Sequence, residues 1–159
     1  QEKWRVINEI KNEYYRTLFK NNAALAQNAS YPLLAFIQQQ LSSENKISLL
    51  VGHDSNIVAL LSALGVEPYE LDDSLENIPI GGKLMFEVWK HKPSGKLKFK
   101  LDYVYQSTEQ LVKLTPLSLV TPPNQTALTL EACTKDEDGF CDYEQFQKVL
   151  SEGIENGKK

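Results

Sequence analysis

The sequence predicts an α/β chain: part of a central, mainly parallel sheet flanked by helices, with a β-hairpin and a loop between two cysteines in its C-terminal part. Three observations carry that expectation. Apolar residues recur at helical spacing through the first forty or so residues. A short unbroken apolar run, ISLLV (47–51), runs straight into a turn and another helical pattern. Two segments after Gly81-Gly82 alternate apolar and polar residues.

Each element has its own warrant. Trp4, Ile7, Ile10, Tyr14 and Leu18 follow helical spacing from the first residues, without a capping residue ahead of them, so the chain is expected to begin in mid-protein. Leu33, Phe36, Ile37 and Leu41 define a second helix, with Pro32 marking its start or a kink and Ser30 as its cap. ISLLV lacks polar alternation, as a parallel strand covered on both faces does. GHDSN then turns the chain into the helix IVALLSAL, stopped by Gly65. Leu84, Phe86 and Val88 share one face of the next strand. Leu97, Phe99, Leu101, Tyr103 and Tyr105 share one face of its partner, and HKPSG joins the two as a hairpin. LTPLSLVTPPNQ is extended and broken by proline, and TALTL reads as strand. Asp142 caps a final helix with Tyr143, Phe146, Val149 and Leu150 inward, and EGIENGKK is expected to fray. No repeat, low-complexity stretch or linker interrupts residues 1–159, which are read as one unit.

Composition narrows the function. Of 159 residues, 42% are hydrophobic and 24% charged, which fits a folded domain rather than a disordered chain. A net charge of −4 argues against a general nucleic-acid binder. No apolar run approaches the roughly 20 residues of a membrane helix. Histidines occur only at 53 and 91, and arginines only at 5 and 16, so chemistry that needs several of either cannot be completed within this chain.

Cys133 and Cys141 flank a polar loop with a turn signal at Asp138-Gly139. That spacing suits a local disulfide and an oxidising compartment, and equally two free thiols packed as small hydrophobes. No histidine or second cysteine pair is near enough to suggest zinc. Asp136, Asp138 and Gly139 imitate a calcium loop, but Thr134 and Gln145 take its first and last ligand positions. Neither metal is expected. Asn28-Ala29-Ser30 and Asn124-Gln125-Thr126 match a glycosylation sequon that occurs often by chance.

The informative stretch is LLVGHDSNIVALL. A strand ends, the chain turns at Gly52, and a helix begins, which is where ligands bind in open α/β sheets. The free N–H groups and positive dipole end of a helix start favour an anion such as phosphate. The His53 imidazole can donate to a phosphate oxygen. The Asp54 carboxyl can protonate a departing alkoxide, which leaves poorly otherwise. The plainer alternatives are that Asp54 merely caps the helix and that His53 is a hydrogen-bonded structural residue. GHDS lacks the G-x-S-x-G elbow that would make Ser55 a nucleophile. His91, between Lys90 and Lys92 in the hairpin turn, reads as a solvated surface residue.

VGHDSNIVALLSALG, PIGGKLMFEVW, YVYQSTEQL and the late pair in CTKDEDGFC, in that order, resemble the histidine acid phosphatases, nearest to their periplasmic sugar-phosphatase members and then to the bacterial phytases. The likeness covers nearly the whole chain but only the C-terminal part of that family. It implies phosphomonoester hydrolysis in two steps. A histidine in an N-terminal R-H-G-x-R-x-P motif takes the phosphoryl group, arginines neutralise it, and water releases it. No cofactor is implied. By the same likeness His53 binds phosphate and Asp54 is the proton donor, while Ser55 and Asn56 shape the turn or touch substrate. At acidic pH Asp54 is expected to hold its proton more readily, and a bound phosphate anion to raise its pKa further. The substrate is then a sugar phosphate such as glucose-1-phosphate, or an inositol phosphate, and the compartment the periplasm.

R-H-G-x-R-x-P occurs nowhere in the chain, and Arg5 and Arg16 match no such motif. The nucleophile and phosphate clamp are therefore expected in an N-terminal portion of the same enzyme. Without that portion the chain should be inactive, expose apolar edge and face, and self-associate. Two other readings stand beside this one: a non-catalytic α/β interaction module that keeps the fold, and the cytoplasmic mutase branch, against which a disulfide and PIGG argue.

Overall fold

A computed structural model describes residues 2–159. Helix α1 (Glu2–Tyr15) runs into a five-residue π-helical segment (Arg16–Lys20), followed by α2 (Ala23–Leu41) and α3 (Asp54–Ala63). The second half holds β1 (Lys83–Lys90), β2 (Leu97–Tyr105), the short α4 (Thr108–Val112), β3 (Asn124–Leu128), β4 (Cys141–Asp142) and α5 (Tyr143–Gly157).

The alternation in β1 and β2 becomes an antiparallel hairpin, with Phe86 opposite Leu101 and Val88 opposite Phe99. Strands β3 and β4 pair with different stretches of β2, so β2 is the centre of the sheet. Phe99, Leu101, Tyr103 and Tyr105 are buried as their period predicts, while Leu97 at the strand's start stays exposed. Against this face lies α5, whose Phe146 stacks on Phe99 with ring centroids 3.4 Å apart. Helices α2 and α3 complete the core with Ala26, Leu34, Ile37, Leu60 and Leu61, joined by Leu64 at the C-cap of α3.

The chain is α/β with the expected hairpin, but its own sheet is antiparallel, and the mainly parallel sheet is not formed by the described residues. Residues 47–51 carry the cause. They have no strand assignment, and Ile47 and Val51 are 90% and 91% exposed. An apolar run needs neighbours on both edges and both faces to be a central strand. Among the described residues none is offered. The stripe of α1 is similarly open, with Trp4, Ile7, Ile10 and Tyr14 all exposed.

Two helix boundaries also differ from the sequence reading. Helix α2 starts at Ala23, where the Asn22 side chain accepts from the Leu25 N–H at 3.1 Å. Pro32 lies inside it and Ser30, rather than capping, is buried on its inner face. Pro32 removes one backbone donor, and the good helix formers ahead of it carry the turn regardless. At the C-terminus α5 does not fray after Leu150 but continues to Gly157, with Gly153, Ile154 and Gly157 buried. A Cβ on Gly157 would sit 2.4 Å from the Gln27 carbonyl oxygen, and one on Gly153 would sit 3.0 Å from Leu34 Cδ1. The two glycines let α5 approach α2 closely. Asn28 Nδ2 then donates to the Gly157 carbonyl at 3.1 Å.

Helix α4 was not anticipated. Ser107 Oγ accepts from the Gln110 N–H at 3.1 Å and Gln110 Oε1 accepts from the Ser107 N–H at 3.0 Å, a capping box legible in STEQ.

Cys133 and Cys141 form a disulfide, their Cα atoms 5.7 Å apart. Inside the loop Asp136 Oδ1 accepts from the Asp138 and Phe140 N–H groups at 3.1 and 2.9 Å, and Lys98 pairs with the same carboxylate. The loop is short, so loop-closure entropy assigns the disulfide about 2.5 kcal/mol. Reduction is expected to lower the melting temperature by roughly 5–10 °C, measured by thermal melts with and without a phosphine reductant. An unchanged melt would show that Asp136 alone organises the loop.

Candidate active site

His53 sits at the N-cap of α3 in extended conformation, and Asp54 is the first helical residue. The cap is held from within: Asn56 Oδ1 accepts from the His53 backbone N–H at 2.9 Å. Asn56 thus closes the capping box across the turn. Asp54 is not the capping residue that its plainer reading made it. Its Oδ1 accepts from the Ser55 N–H at 2.9 Å, and its Oδ2 pairs with Lys11 Nζ at 3.1 Å. His53 is exposed and Asp54 half-buried, so both groups can reach solvent. Ser55 and Asn56 line a cavity of about 170 Å³ between α3, α2 and the π-helical segment, shared with Phe19, Ser30, Leu33 and Ala59.

Sequence reasoning missed the groups that surround Asp54. Lys11 on α1 bridges it to Glu76 Oε2, 3.4 Å away, and Tyr15, one turn further along α1, is close enough to Asp54 to lower its pKa. Asn8 Nδ2 donates to the Leu75 carbonyl at 3.1 Å and fixes α1 against the loop that carries Glu76. Lys11 and Tyr15 are four apart on one helix face, but nothing local places that face beside residue 54.

The electrostatics follow. The Tyr15 hydroxyl, together with Lys11 and the Ser55 N–H, holds the Asp54 carboxyl below the usual carboxylate range, against the opposing effect of burial. Burial alone would lower the Lys11 pKa, but the hydrogen bond to Asp54 and the charge of Glu76 raise it. Behind the site Tyr69 and Tyr103 lie with ring centroids 5.9 Å apart. Burial pushes Tyr69 up to about 12 and raises Tyr103, whose field includes Asp54 and Glu76. Gly82 is required here: a Cβ on it would sit 2.7 Å from Tyr103 Cε1 and 2.9 Å from the Pro79 carbonyl oxygen.

His91 lies in the hairpin turn as expected, exposed, with Nδ1 2.7 Å from Ser94 Oγ. Among the described residues no cluster of three or more His, Cys, Asp or Glu could hold a metal ion. No helix of the described residues is long and apolar enough to cross a membrane.

A helix start presenting an imidazole and a carboxyl paired with a lysine has the groups that can hold an anion beside a proton donor. The chain belongs to the histidine phosphatase superfamily (branch 2), whose family model matches residues 4–115. The glucose-1-phosphatase of Providencia rettgeri is 42% identical over 97% of this chain and 38% of its own length. That of Salmonella typhimurium is 38% identical over 93% of this chain and 37% of its own length. In structure, the phytase of Citrobacter braakii superposes with a TM-score of 0.87 at 26% identity, covering 99% of this chain and 42% of that one. The chain thus spans well under half the length of the relatives it matches.

Proposed function

We propose that this chain is the C-terminal portion of an acid phosphomonoesterase that resembles glucose-1-phosphatase and acts on sugar phosphates or inositol phosphates through a phosphohistidine intermediate. His53 binds phosphate and Asp54 protonates the leaving oxygen, while Ser55 and Asn56 shape the turn or touch substrate. The nucleophile and arginine clamp belong to an N-terminal portion that packs against this one. The observation that carries the reading is His53-Asp54 at the start of α3, in a chain 42% identical to a glucose-1-phosphatase.

The exposed apolar run at 47–51 and the open stripe of α1 support the packing of a further portion there. The Cys133–Cys141 disulfide supports a periplasmic location. Electrostatic stabilisation is the largest contribution to phosphoryl transfer, so this chain alone lacks most of what catalysis requires.

The test is turnover of glucose-1-phosphate and of myo-inositol hexakisphosphate by two proteins: the 159-residue chain, and the chain joined to an N-terminal portion carrying R-H-G-x-R-x-P. The chain alone is expected to release no phosphate above background and the joined protein to turn over. Comparable turnover by both would sink the division of labour, and none by either would sink the enzymatic reading.

A further inference from the structure

Resting on the phosphatase reading, we propose that Lys11 is a positioning residue. It ties the Asp54 carboxylate to Glu76 before substrate binds, and passes to the phosphate of an incoming monoester. Asp54 is thereby freed to take up the proton that it gives to the leaving group.

The argument begins with charge and distance. Lys11 Nζ stands 3.1 Å from Asp54 Oδ2 and 3.4 Å from Glu76 Oε2, so one ammonium serves two carboxylates. Remove it and the two carboxylates face one another uncompensated, which drives one of them to hold a proton. The Lys11 side chain is 40% exposed and its four-carbon stem is flexible, so it can change partners without moving α1. The partner it would change to arrives at the start of α3, where Asp54 is the first residue and the N–H groups favour an anion. A phosphate dianion attracts the ammonium more strongly than a half-exposed carboxylate does.

The groups facing Asp54 set the direction of its response. From α1 come Lys11 and Tyr15, from the loop before β1 comes Glu76, and from α3 itself come the Ser55 N–H and neighbouring His53. Tyr103 on β2, with Tyr69 against it, shares the field of both carboxylates. Of these only Lys11 is a fixed cation. Its departure and the arrival of a dianion act in the same direction, raising the proton affinity of Asp54.

The step balances. Asp54 takes a proton from solvent. The phosphorus–oxygen ester bond breaks as the phosphoryl group passes to the histidine nucleophile of the N-terminal portion. The bonding pair stays on the ester oxygen, which takes the Asp54 proton and leaves as the alcohol. Asp54, again a carboxylate, can recover Lys11. A proton donor that begins below the usual carboxylate range thus becomes an acid only when substrate is present.

The test combines carbon-13 carboxyl titration of Asp54 in the 159-residue chain with steady-state kinetics of the joined protein. Lys11→Met should raise the Asp54 pKa in the chain, and Lys11→Arg should leave it low. In the joined protein Lys11→Met should raise KM for glucose-1-phosphate about fivefold. It should also move the alkaline limb of kcat/KM, which reports the free enzyme, to higher pH, and leave that of kcat, which reports the complex, in place. Lys11→Arg should restore the KM and the limb. An unmoved Asp54 pKa in Lys11→Met, or limbs of kcat and kcat/KM that move together, would overturn the exchange. The acid role of Asp54 is judged separately: full turnover by Asp54→Asn would overturn the phosphatase reading itself, whatever Lys11 does.

Discussion

Replacing Asp54 by Asn in the joined protein is expected to cut kcat on glucose-1-phosphate by about 10²–10⁴-fold, the contribution of a positioned general acid, or roughly 3–5 kcal/mol of barrier. The substitution is nearly isosteric. An Asn oxygen can still accept from the Ser55 N–H, as Asp54 Oδ1 does at 2.9 Å, so the first turn of α3 should stay intact. What is lost is the transferable proton. The loss should therefore depend on the leaving group: severe for a sugar or alkyl phosphate, and much smaller for nitrophenyl phosphate, whose phenolate departs without help. The pH dependence has a definite sign. With Tyr15, Lys11 and the Ser55 N–H holding the carboxyl low in the free protein, the protonated form is lost early as pH rises, so wild-type kcat/KM should fall on the alkaline side. In Asp54→Asn that alkaline fall should vanish, because no carboxyl remains to titrate there. An equal loss on both classes of substrate would mean that Asp54 acts through the fold rather than as an acid.

The same carboxylate contributes little to stability. Its pKa is lowered on folding, so any stabilisation is present above the ordinary carboxylate range and lost as pH falls through the folded value. Lys11 and Asp54 are each 40% exposed, which limits the pair to at most about 1 kcal/mol after solvent screening. Lys11→Met is thus a variant to be read by titration and kinetics rather than by melting temperature.

Much of this architecture was legible where a local pattern and its packing partner lie in the same chain. The alternation of β2 is answered by α5 and β3, and Phe99, Leu101, Tyr103 and Tyr105 are buried as written. The His53-Asp54 junction was legible because a helix start is defined by its own next four residues, and Asn56 supplies the reciprocal arm. ISLLV has a strand's composition, but strand formation is a property of pairs, and none of the described residues pairs with it. Pro32 reads in sequence as a helix start or kink, and the tail that holds Gly153 and Gly157 as frayed, because the usual cost of proline and glycine in a helix is local. Here the benefit is tertiary, the close approach of α5 to α2, and no window of sequence contains it. Lys11 escaped notice for the same reason. A lysine on an amphipathic helix is ordinary until the fold sets it within 3.1 Å of residue 54.

The largest single loss of stability should come from Phe146→Ala. Phe146 is fully buried and ties three elements together. It stacks on Phe99 of β2, with planes within 3° of parallel, and lies with its ring centroid 6.2 Å from that of Phe86 on β1, while its own backbone belongs to α5. Truncation removes the transfer free energy of the ring and leaves a void that Phe99 and Leu150, themselves held by a strand and a helix, can only partly fill. The expected cost is about 3–5 kcal/mol. For a chain of this size that lowers the melting temperature by roughly 10–15 °C, and urea unfolding followed by circular dichroism should show a reduced midpoint with little change in slope. Ile10→Ala is the matched control. Ile10 is 70% exposed on α1, and its removal should cost no more than about 0.5 kcal/mol in this chain. In the joined protein the prediction for Ile10 reverses if the N-terminal portion covers the α1 stripe, because the same side chain would then be buried. A Phe146→Ala cost below 1 kcal/mol would mean that α5 is held by its approach to α2 and not by its grip on the sheet. An Ile10→Ala cost equally small in both proteins would mean that the apolar stripe of α1 faces solvent in the joined protein as well.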